Sequence, residues 1–414
     1  MSGSLTIERL GAQGDGIACS PKSEVFVPFT LPGEKVTAAV AGKRADLIAV
    51  VEPSPLRVDP ACRHFGICGG CALQHMEIEA YRAWKRERLV QALKACRIDI
   101  EVDPIVAMPP ASRRRAVFSA RKTEKGVILG FNRALSNTIV DIEECPVLLP
   151  ALAGRLGDLR AVAGAIAATG QPFHLSVTAT DSGLDIAATG SGRLDDRARR
   201  TAIELVLSLA IARLSIDGEI VVEGRKPLLM AGDVAVPPPP GAFVQAVEGA
   251  EAAMAELVLA HLAKSKRVAD LFAGIGTFGL RLARGREVHA VEGDAAALAS
   301  LDRAAREATG LRKVSVEKRD LYLRPLTYKE LDARFDGLVF DPPRAGAEDQ
   351  AKQIARSQVA RVAAISCNPV TLARDLRILV DGGYRLRRVV PIDQFVWSPH
   401  LEAVALLEKP VRRR

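Results

Sequence analysis

The chain has 414 residues, 48% of them hydrophobic and 26% charged, enough length for two or three domains, and no apolar run approaches the ~20 residues of a membrane-spanning helix. The first eight residues lack a basic stretch followed by an apolar core, so they do not read as a secretory signal, and the cytoplasm is the expected location. The net charge of +8, concentrated in Arg113-Arg114-Arg115, Arg121-Lys122 and Arg412-Arg413-Arg414, favours a polyanionic partner, and the odd count of seven cysteines points to metal binding or catalysis before a disulfide framework.

From Leu5 onward, short β-type runs (Val25-Phe26-Val27, residues 35–40, residues 47–51) are broken by Gly14-Asp15-Gly16 and Pro32-Gly33, which predicts a small β-barrel over residues 1–58. Residues 77–96 carry Tyr81, Trp84, Leu89, Ala92 and Leu93 at helical spacing with basic residues on the opposite face. From about 105 to 235 the pattern gives β-hairpins around Asp181-Ser182-Gly183 and Asp217-Gly218, and Ala-rich helices over 151–169 and 195–209, an α+β insert. Pro237-Pro238-Pro239-Pro240-Gly241 continues neither a helix nor a central strand and marks a boundary. Beyond it strands and helices alternate: strands near 267–272, 287–292, 314–318, 337–341 and 362–366, with helices from Phe278 and Ala295 and over 370–380. A mainly parallel sheet with helices on both faces follows. Two final strand-like runs, 385–393 and 402–408, have no helix between them and read as an antiparallel hairpin closing that sheet.

Three of the loops after these strands carry candidate chemistry. In Asp270-Leu271-Phe272-Ala273-Gly274-Ile275-Gly276-Thr277-Phe278-Gly279 the glycines let backbone N–H groups approach a ligand, and Glu292, ending the next strand, is positioned to accept from ribose hydroxyls. A nucleoside cofactor is implied, NAD or S-adenosylmethionine. Asp341-Pro342-Pro343-Arg344 places a carboxylate at the ligand-binding edge of the sheet. Ser366-Cys367-Asn368-Pro369 puts a thiol at the same edge, directly before a helix whose N-terminus is expected to favour the thiolate.

Ser398-Pro399-His400-Leu401-Glu402, between the last two strands, adds a carboxylate that faces the same cleft if the hairpin forms. One Cys and one Glu make a complete pair for a particular reaction. Carbon 5 of uracil is a poor nucleophile until a thiolate adds to carbon 6, and afterwards a base must remove the carbon 5 proton so that the thiol is expelled. Methylation of an exocyclic amine requires only the Asp-Pro-Pro type of motif, which makes Cys367 the discriminating residue.

Cys62, Cys68 and Cys71, interleaved with Gly66, Gly69 and Gly70, and Cys145 far downstream supply four thiolates of the kind that bind zinc or an iron–sulfur cluster; spacing does not choose between them. In the central insert Arg113, Arg114, Arg115, Arg121, Lys122 and Arg133 are candidate phosphate contacts, and Phe131 a candidate stacking platform for an unpaired base.

Phe243-Val244-Gln245, the Asp270 to Gly279 loop, Asp341-Pro342-Pro343-Arg344, Ser366-Cys367-Asn368-Pro369 and His400-Leu401-Glu402 together resemble the RNA 5-methyluridine methyltransferase family in order and spacing. The N-terminal barrel resembles that family's TRAM domain, so the similarity spans nearly the whole chain. The resemblance implies that Cys367 is the nucleophile and Glu402 the base. It implies that S-adenosylmethionine is the methyl donor, held by Gln245, Phe272, Gly274, Thr277, Glu292 and Asp341 with Asp320 on the adenine side, and that Asp341 also lies beside the target base. Related enzymes with this cysteine arrangement carry a [4Fe-4S] cluster, which the resemblance extends to Cys62, Cys68, Cys71 and Cys145. The chain departs from the family at Val247, where an Asn is common.

The expected architecture is therefore multidomain: a TRAM/OB-like β-barrel over 1–58, a central α+β domain with the cluster cysteines over 59–236, and a Rossmann-like S-adenosylmethionine-dependent methyltransferase domain over 237–414. The helix near 78–96 is expected to pack on the last of these. The partner is structured RNA, ribosomal RNA and 23S in particular, with no membrane and no obligate protein partner indicated. Two rivals stand beside this reading: an enzyme methylating an exocyclic purine amine, and a non-catalytic RNA-binding scaffold.

Overall fold

The computed structural model describes residues 2–19 and 24–410; the expected basic cluster at Arg412-Arg413-Arg414 lies outside the described residues. The N-terminal segment forms a six-stranded sheet in the order Ser2–Thr6, Lys35–Ala41, Arg44–Glu52, Glu24–Val27, Gly16–Cys19, Arg9–Leu10. Alternation along Lys35–Ala41 turns Val36 and Ala38 inward against Ile7, Ala18, Val25 and Val27. A side chain at Gly16 would begin 2.0 Å from Thr30 Oγ1, so only glycine fits there. The sheet's exit is pinned by buried Glu34, which accepts from the N–H groups of Leu31 and Ser54 and from Arg57.

The central sheet runs Ile139–Asp141, Gly126–Asn132, Arg115–Thr123, Phe173–Thr180, Gly183–Thr189, Arg213–Ile216, Glu219–Glu223. The helices Leu156–Ile166 and Asp196–Ser208 pack on it through Leu159, Val162, Ala202 and Val206. Both expected hairpins are present. The expected helix over 151–169 is instead two, Pro150–Ala153 and Leu156–Ile166, divided at Gly154 and Arg155.

The third sheet has eight strands in the order Val314–Lys318, Glu287–Glu292, Arg267–Leu271, Gly337–Phe340, Arg361–Ser366, Glu402–Glu408, Arg385–Asp393, Val106–Ala107. The first five are parallel, and the closing pair Glu402–Glu408 and Arg385–Asp393 is antiparallel. One face is covered by the helices Ile78–Ala95 and Pro369–Asp381, which share a core with Leu271, Phe340 and Ala364; the other is covered by Glu248–His261 through Met254 and Val258. Val106–Ala107, expected inside the insert, joins this sheet beside Arg385–Asp393. A two-residue strand has no period to read, so only the neighbouring strand reveals it. The helix expected from Phe278 is a single turn, Gly279–Leu282. In Ile78–Ala95 the basic residues do not all lie outside, because Lys85 is wholly buried. No described helix is long and apolar enough to cross a membrane.

Candidate active site

The carboxyl ends of the parallel strands deliver the glycine loop, Glu292, Asp341 and Cys367 to one edge, as in open α/β sheets generally. In the loop Phe272, Gly274 and Gly276 have φ of 59°, 54° and 97°. A Cβ on Gly276 would stand 2.8 Å from Leu280 and one on Gly279 2.6 Å from Asp270 Oδ2, whereas above Gly274 nothing lies within 4 Å. The loop thus packs tightly beneath and leaves an open face. Glu292 is fixed at its rim, accepting from the N–H of Gly274 and of Asp294, each at 2.8 Å. The Phe272 ring rests 5.6 Å from that of Tyr322, whose N–H donates to Asp320. Asp270, sealed under the loop, has its carboxyl pushed up to about 8 by burial.

Four side chains from separate segments form one hydrogen-bonded chain. Gln245 donates to Asp341 Oδ2 at 3.0 Å; Gln394 donates to Gln245 Oε1 at 2.8 Å and to Glu402 Oε1 at 3.1 Å. The Gln394 carbonyl oxygen accepts from the N–H of Val247 at 3.2 Å. Glu402 is buried, and its second oxygen has no partner among the described residues. Burial raises both the Glu402 and the Asp341 carboxyl well above the usual range; Asp341 adds to the rise at Glu402, while the Gln245 amide opposes it at Asp341.

Cys367 is half-buried at the same edge, and its thiol is pushed up to about 12 by burial and then by the charges of Glu402 and Asp341, with Arg344 opposing. Burial and the two neighbouring carboxyl groups thus oppose the thiolate expected from the helix N-terminus. That N-terminus is already capped by the Asn368 side chain, which accepts from Val370 N–H.

The segment bearing Gln394 is gripped from the helix Ile78–Ala95. Buried Lys85 pairs with Asp393 and donates to the carbonyl of Phe395 at 3.1 Å and to Tyr81 Oη at 2.9 Å. Further along, the N–H groups of Ala72 and Leu73 donate to the carbonyl of Trp397, whose φ is 59°. Sequence reasoning does not single out Gln394, Asp393 or Lys85. The available signals are a lysine four residues after a core tyrosine on an apolar helix face, and Asp393-Gln394-Phe395 lying a few residues before Glu402.

Cys62, Cys68, Cys71 and Cys145, far apart in the chain, line one cavity of about 270 Å³ with Phe65 and Arg113. Burial pushes the Cys71 thiol up to about 12, and the neighbouring Cys145, Cys68 and Cys62 add to the rise. The glycines hold the loop close: Gly69 donates to the Asn132 carbonyl, and a Cβ there would stand 2.7 Å from Ala134 N. Among the described residues no group of three or more His, Cys, Asp or Glu is placed to clasp a single metal ion.

The basic residues divide. Arg121, Lys122 and Arg133 are exposed. Arg114, expected to meet phosphate, is buried: it donates to Glu251 at 2.6 Å and to the Gln245 carbonyl at 3.2 Å, while Arg281 holds the other Glu251 oxygen at 2.7 Å and the Thr277 carbonyl at 2.6 Å. It joins the central sheet to the glycine loop and has no face left for RNA. Arg113 lies over Phe395 and Arg115 over Phe243, each 5.7 Å from the ring centre. Phe131 stacks on Phe118 at 5.1 Å, so one side of its ring is already covered.

Residues 237–410 match the model of the tRNA (uracil-5-)-methyltransferase family. An uncharacterized RNA methyltransferase of Mesorhizobium japonicum is 62% identical over the full length of both chains. The 23S rRNA (uracil(1939)-C(5))-methyltransferase RlmD of Halomonas elongata is 36% identical, covering 98% of this chain and 89% of its own. Among solved structures, the Pyrococcus abyssi tRNA (uracil-54, C5)-methyltransferase in complex with S-adenosyl-L-homocysteine superposes with a TM-score of 0.76 at 24% identity, covering 98% of this chain and 99% of that one. At that identity the likeness is one of fold.

Proposed function

The chain belongs to the RNA (uracil-5-)-methyltransferase family, and on that premise we propose that it methylates carbon 5 of a uridine in 23S ribosomal RNA, with Cys367 as nucleophile and Glu402 as base. The observation that carries the residue roles is the meeting of Cys367, Asp341 and Glu402 at one sheet edge, within reach of one another's charge.

The residues present fit a nucleoside methyl donor: the open face above Gly274, the Glu292 carboxylate at its rim, Phe272 and Asp320 beyond, and Asp341 with Gln245 toward the cleft. Thr277 borders the loop and is tied through Arg281 to Glu251. When bound, S-adenosylmethionine supplies an electrophilic methyl group. The thiol of Cys367, its proton given up to solvent, would add through sulfur to carbon 6, making an S–C6 bond and an enolate whose carbon 5 would take the methyl group as the methyl–sulfonium bond breaks. Glu402 then removes the carbon 5 proton, the C5–C6 double bond re-forms, the S–C6 bond breaks and the thiolate leaves. A carboxyl raised by burial is matched to taking a proton near neutral pH.

The N-terminal six-stranded sheet is assigned as a TRAM-type RNA-binding barrel over 1–58. The residues over 59–236 form the central domain, whose helix and short strand dock on the methyltransferase domain over 237–414. Arg121, Lys122 and Arg133 remain as phosphate contacts. The four cysteines around one cavity fit a [4Fe-4S] cluster, the donor set being all thiol and the cavity wider than one ion needs. A cluster there would be structural, since methyl transfer needs no electrons. The relative of similar length named for 23S rRNA favours ribosomal over transfer RNA. A cytoplasmic location fits this substrate.

The test is methylation of undermodified ribosomal and transfer RNA with labelled S-adenosylmethionine, mapped by nucleoside mass spectrometry, with Cys367→Ala alongside. Formation of 5-methyluridine in ribosomal RNA by wild type alone is expected. Methylated purine, or activity surviving in the variant, would move the assignment to an exocyclic amine.

A further inference from the structure

We propose that Gln394 is the positioning residue of the proton-removal step, its side-chain amide aiming Glu402 while tying it through Gln245 to Asp341; the proposal rests on Glu402 being the base. A primary amide has two N–H donors on its nitrogen and one carbonyl acceptor. Val247 N–H can only donate, so the Gln394 oxygen must face it, at 3.2 Å. The amide nitrogen is thereby turned to the other side, where its two protons meet Gln245 Oε1 at 2.8 Å and Glu402 Oε1 at 3.1 Å. The amide has one orientation, decided by the backbone.

Two consequences follow for Glu402. One oxygen is occupied, and the other, buried and without a partner among the described residues, is the one left to receive a proton. Donation from a neutral amide also favours the ionised carboxylate against burial and against Asp341, while Lys85 assists it. The groups that bear on Glu402 are Asp341, Lys85, Cys367 and Gln394, and among these Gln394 alone is a neutral donor bonded to it.

Gln394 is itself held on both sides. Asp393 is paired with Lys85 and lies 3.1 Å from Tyr81 Oη; the carbonyl of Phe395 lies 3.2 Å from that hydroxyl and 3.1 Å from Lys85 Nζ. The amide is therefore buried on a braced segment, 2% exposed, with every polar atom used. Its partner Gln245 reaches Asp341, so the residues proposed to hold the methyl donor and the residue proposed to take the proton share one bonded chain. Gln245 keeps its own bond to Asp341 when Gln394 is disturbed, so the thiol addition and methyl transfer should be affected less than the step that follows.

That step has its own readout. Methylated RNA whose carbon 5 proton is not removed stays joined to Cys367 and runs with the protein on a denaturing gel. The full chain is mixed with labelled S-adenosylmethionine and an RNA that wild type methylates, and formation and decay of labelled, denaturation-resistant adduct are followed between about pH 6 and 9. Gln394→Met keeps the shape without the donor; Gln394→Glu keeps the acceptor for Val247 and loses the donor, so the comparison does not hang on one fold-sensitive variant. Circular dichroism checks folding, and Glu402→Gln is the control.

Either Gln394 variant is expected to form labelled adduct within a few-fold of the wild-type rate and to resolve it roughly 10- to 100-fold more slowly, the weight of a hydrogen bond to a charged group. The rate of resolution should also reach its plateau at higher pH than in wild type. Glu402→Gln trapping adduct while both Gln394 variants resolve it at the wild-type rate and with the wild-type pH profile would overturn the positioning role. Glu402→Gln trapping nothing would instead overturn the assignment of Glu402 as base, a separate failure.

Discussion

Replacing Lys85 by Met tests whether the helix Ile78–Ala95 braces the segment bearing Gln394. Lys85 is 0% exposed and Asp393 2%, so water compensates neither when the pair is broken. The variant removes the ammonium from Asp393 and its bonds to Tyr81 Oη and the Phe395 carbonyl, and leaves the carboxylate with Tyr81 alone. An uncompensated buried charge of this kind costs about 3–5 kcal/mol, a factor of roughly 10² to 10⁴ in the unfolding equilibrium of the domain. Both tryptophans of the chain report on the region, Trp84 from the same helix and Trp397 from the loop. Urea unfolding followed by tryptophan fluorescence is therefore the assay. Lys85→Met/Asp393→Asn, which removes both charges, should recover at least half of the loss, giving a coupling well above the few tenths of a kcal/mol seen between independent sites. A loss below about 1 kcal/mol in the single variant, or additivity in the double, would refute the bracing role.

Two further outcomes follow, one from a buried carboxyl and one from the four thiols. Asp270, raised to about 8 by burial, stays protonated in the folded chain where the unfolded chain has ionised, so its contribution to stability is full below the ordinary 3.8 and falls as pH rises toward 8. Asp270→Asn should flatten the fall in unfolding free energy, measured by urea titration between about pH 5 and 8, by up to ~1.4 kcal/mol per pH unit, Asp341 and Glu402 keeping a residual slope of the same sign; parallel wild-type and variant curves would contradict this. Protein purified without oxygen should carry about four irons per chain, and Cys71→Ser should lose most of that iron along with its visible absorbance. Zinc in place of iron would overturn the cluster.

Much of the site is legible in the sequence because its residues sit where the chain's own periodicity puts them. A strand followed by a glycine turn and a helix places Gly274; strands ending in Asp341 and Cys367 place those groups at the same edge; the absence of a helix between the last two strands brings Glu402 back to them. Each of these is a local pattern carrying a positional consequence. The four cysteines are legible as a set because their residue type is chemically conspicuous. The basic cluster is less so: Arg113-Arg114-Arg115 reads as one charged patch, yet Arg114, just before the strand that begins at Arg115, turns inward to Glu251 while its neighbours lie over aromatic rings.

By itself, then, the sequence determined the parallel sheet, the order of the loops at its edge and the Cys and Glu proposed for the chemistry, because period, turn residues and reactive side chains are written locally. Only the tertiary structure decided how those groups are held. The Gln394 amide joins segments of the catalytic domain that are distant in sequence, Lys85 is buried by a loop some 300 residues away, and Val106–Ala107 is a strand only because Arg385–Asp393 is beside it. The height of the Cys367 thiol belongs to the same class: it depends on how far the fold buries it and on which carboxylates it brings near.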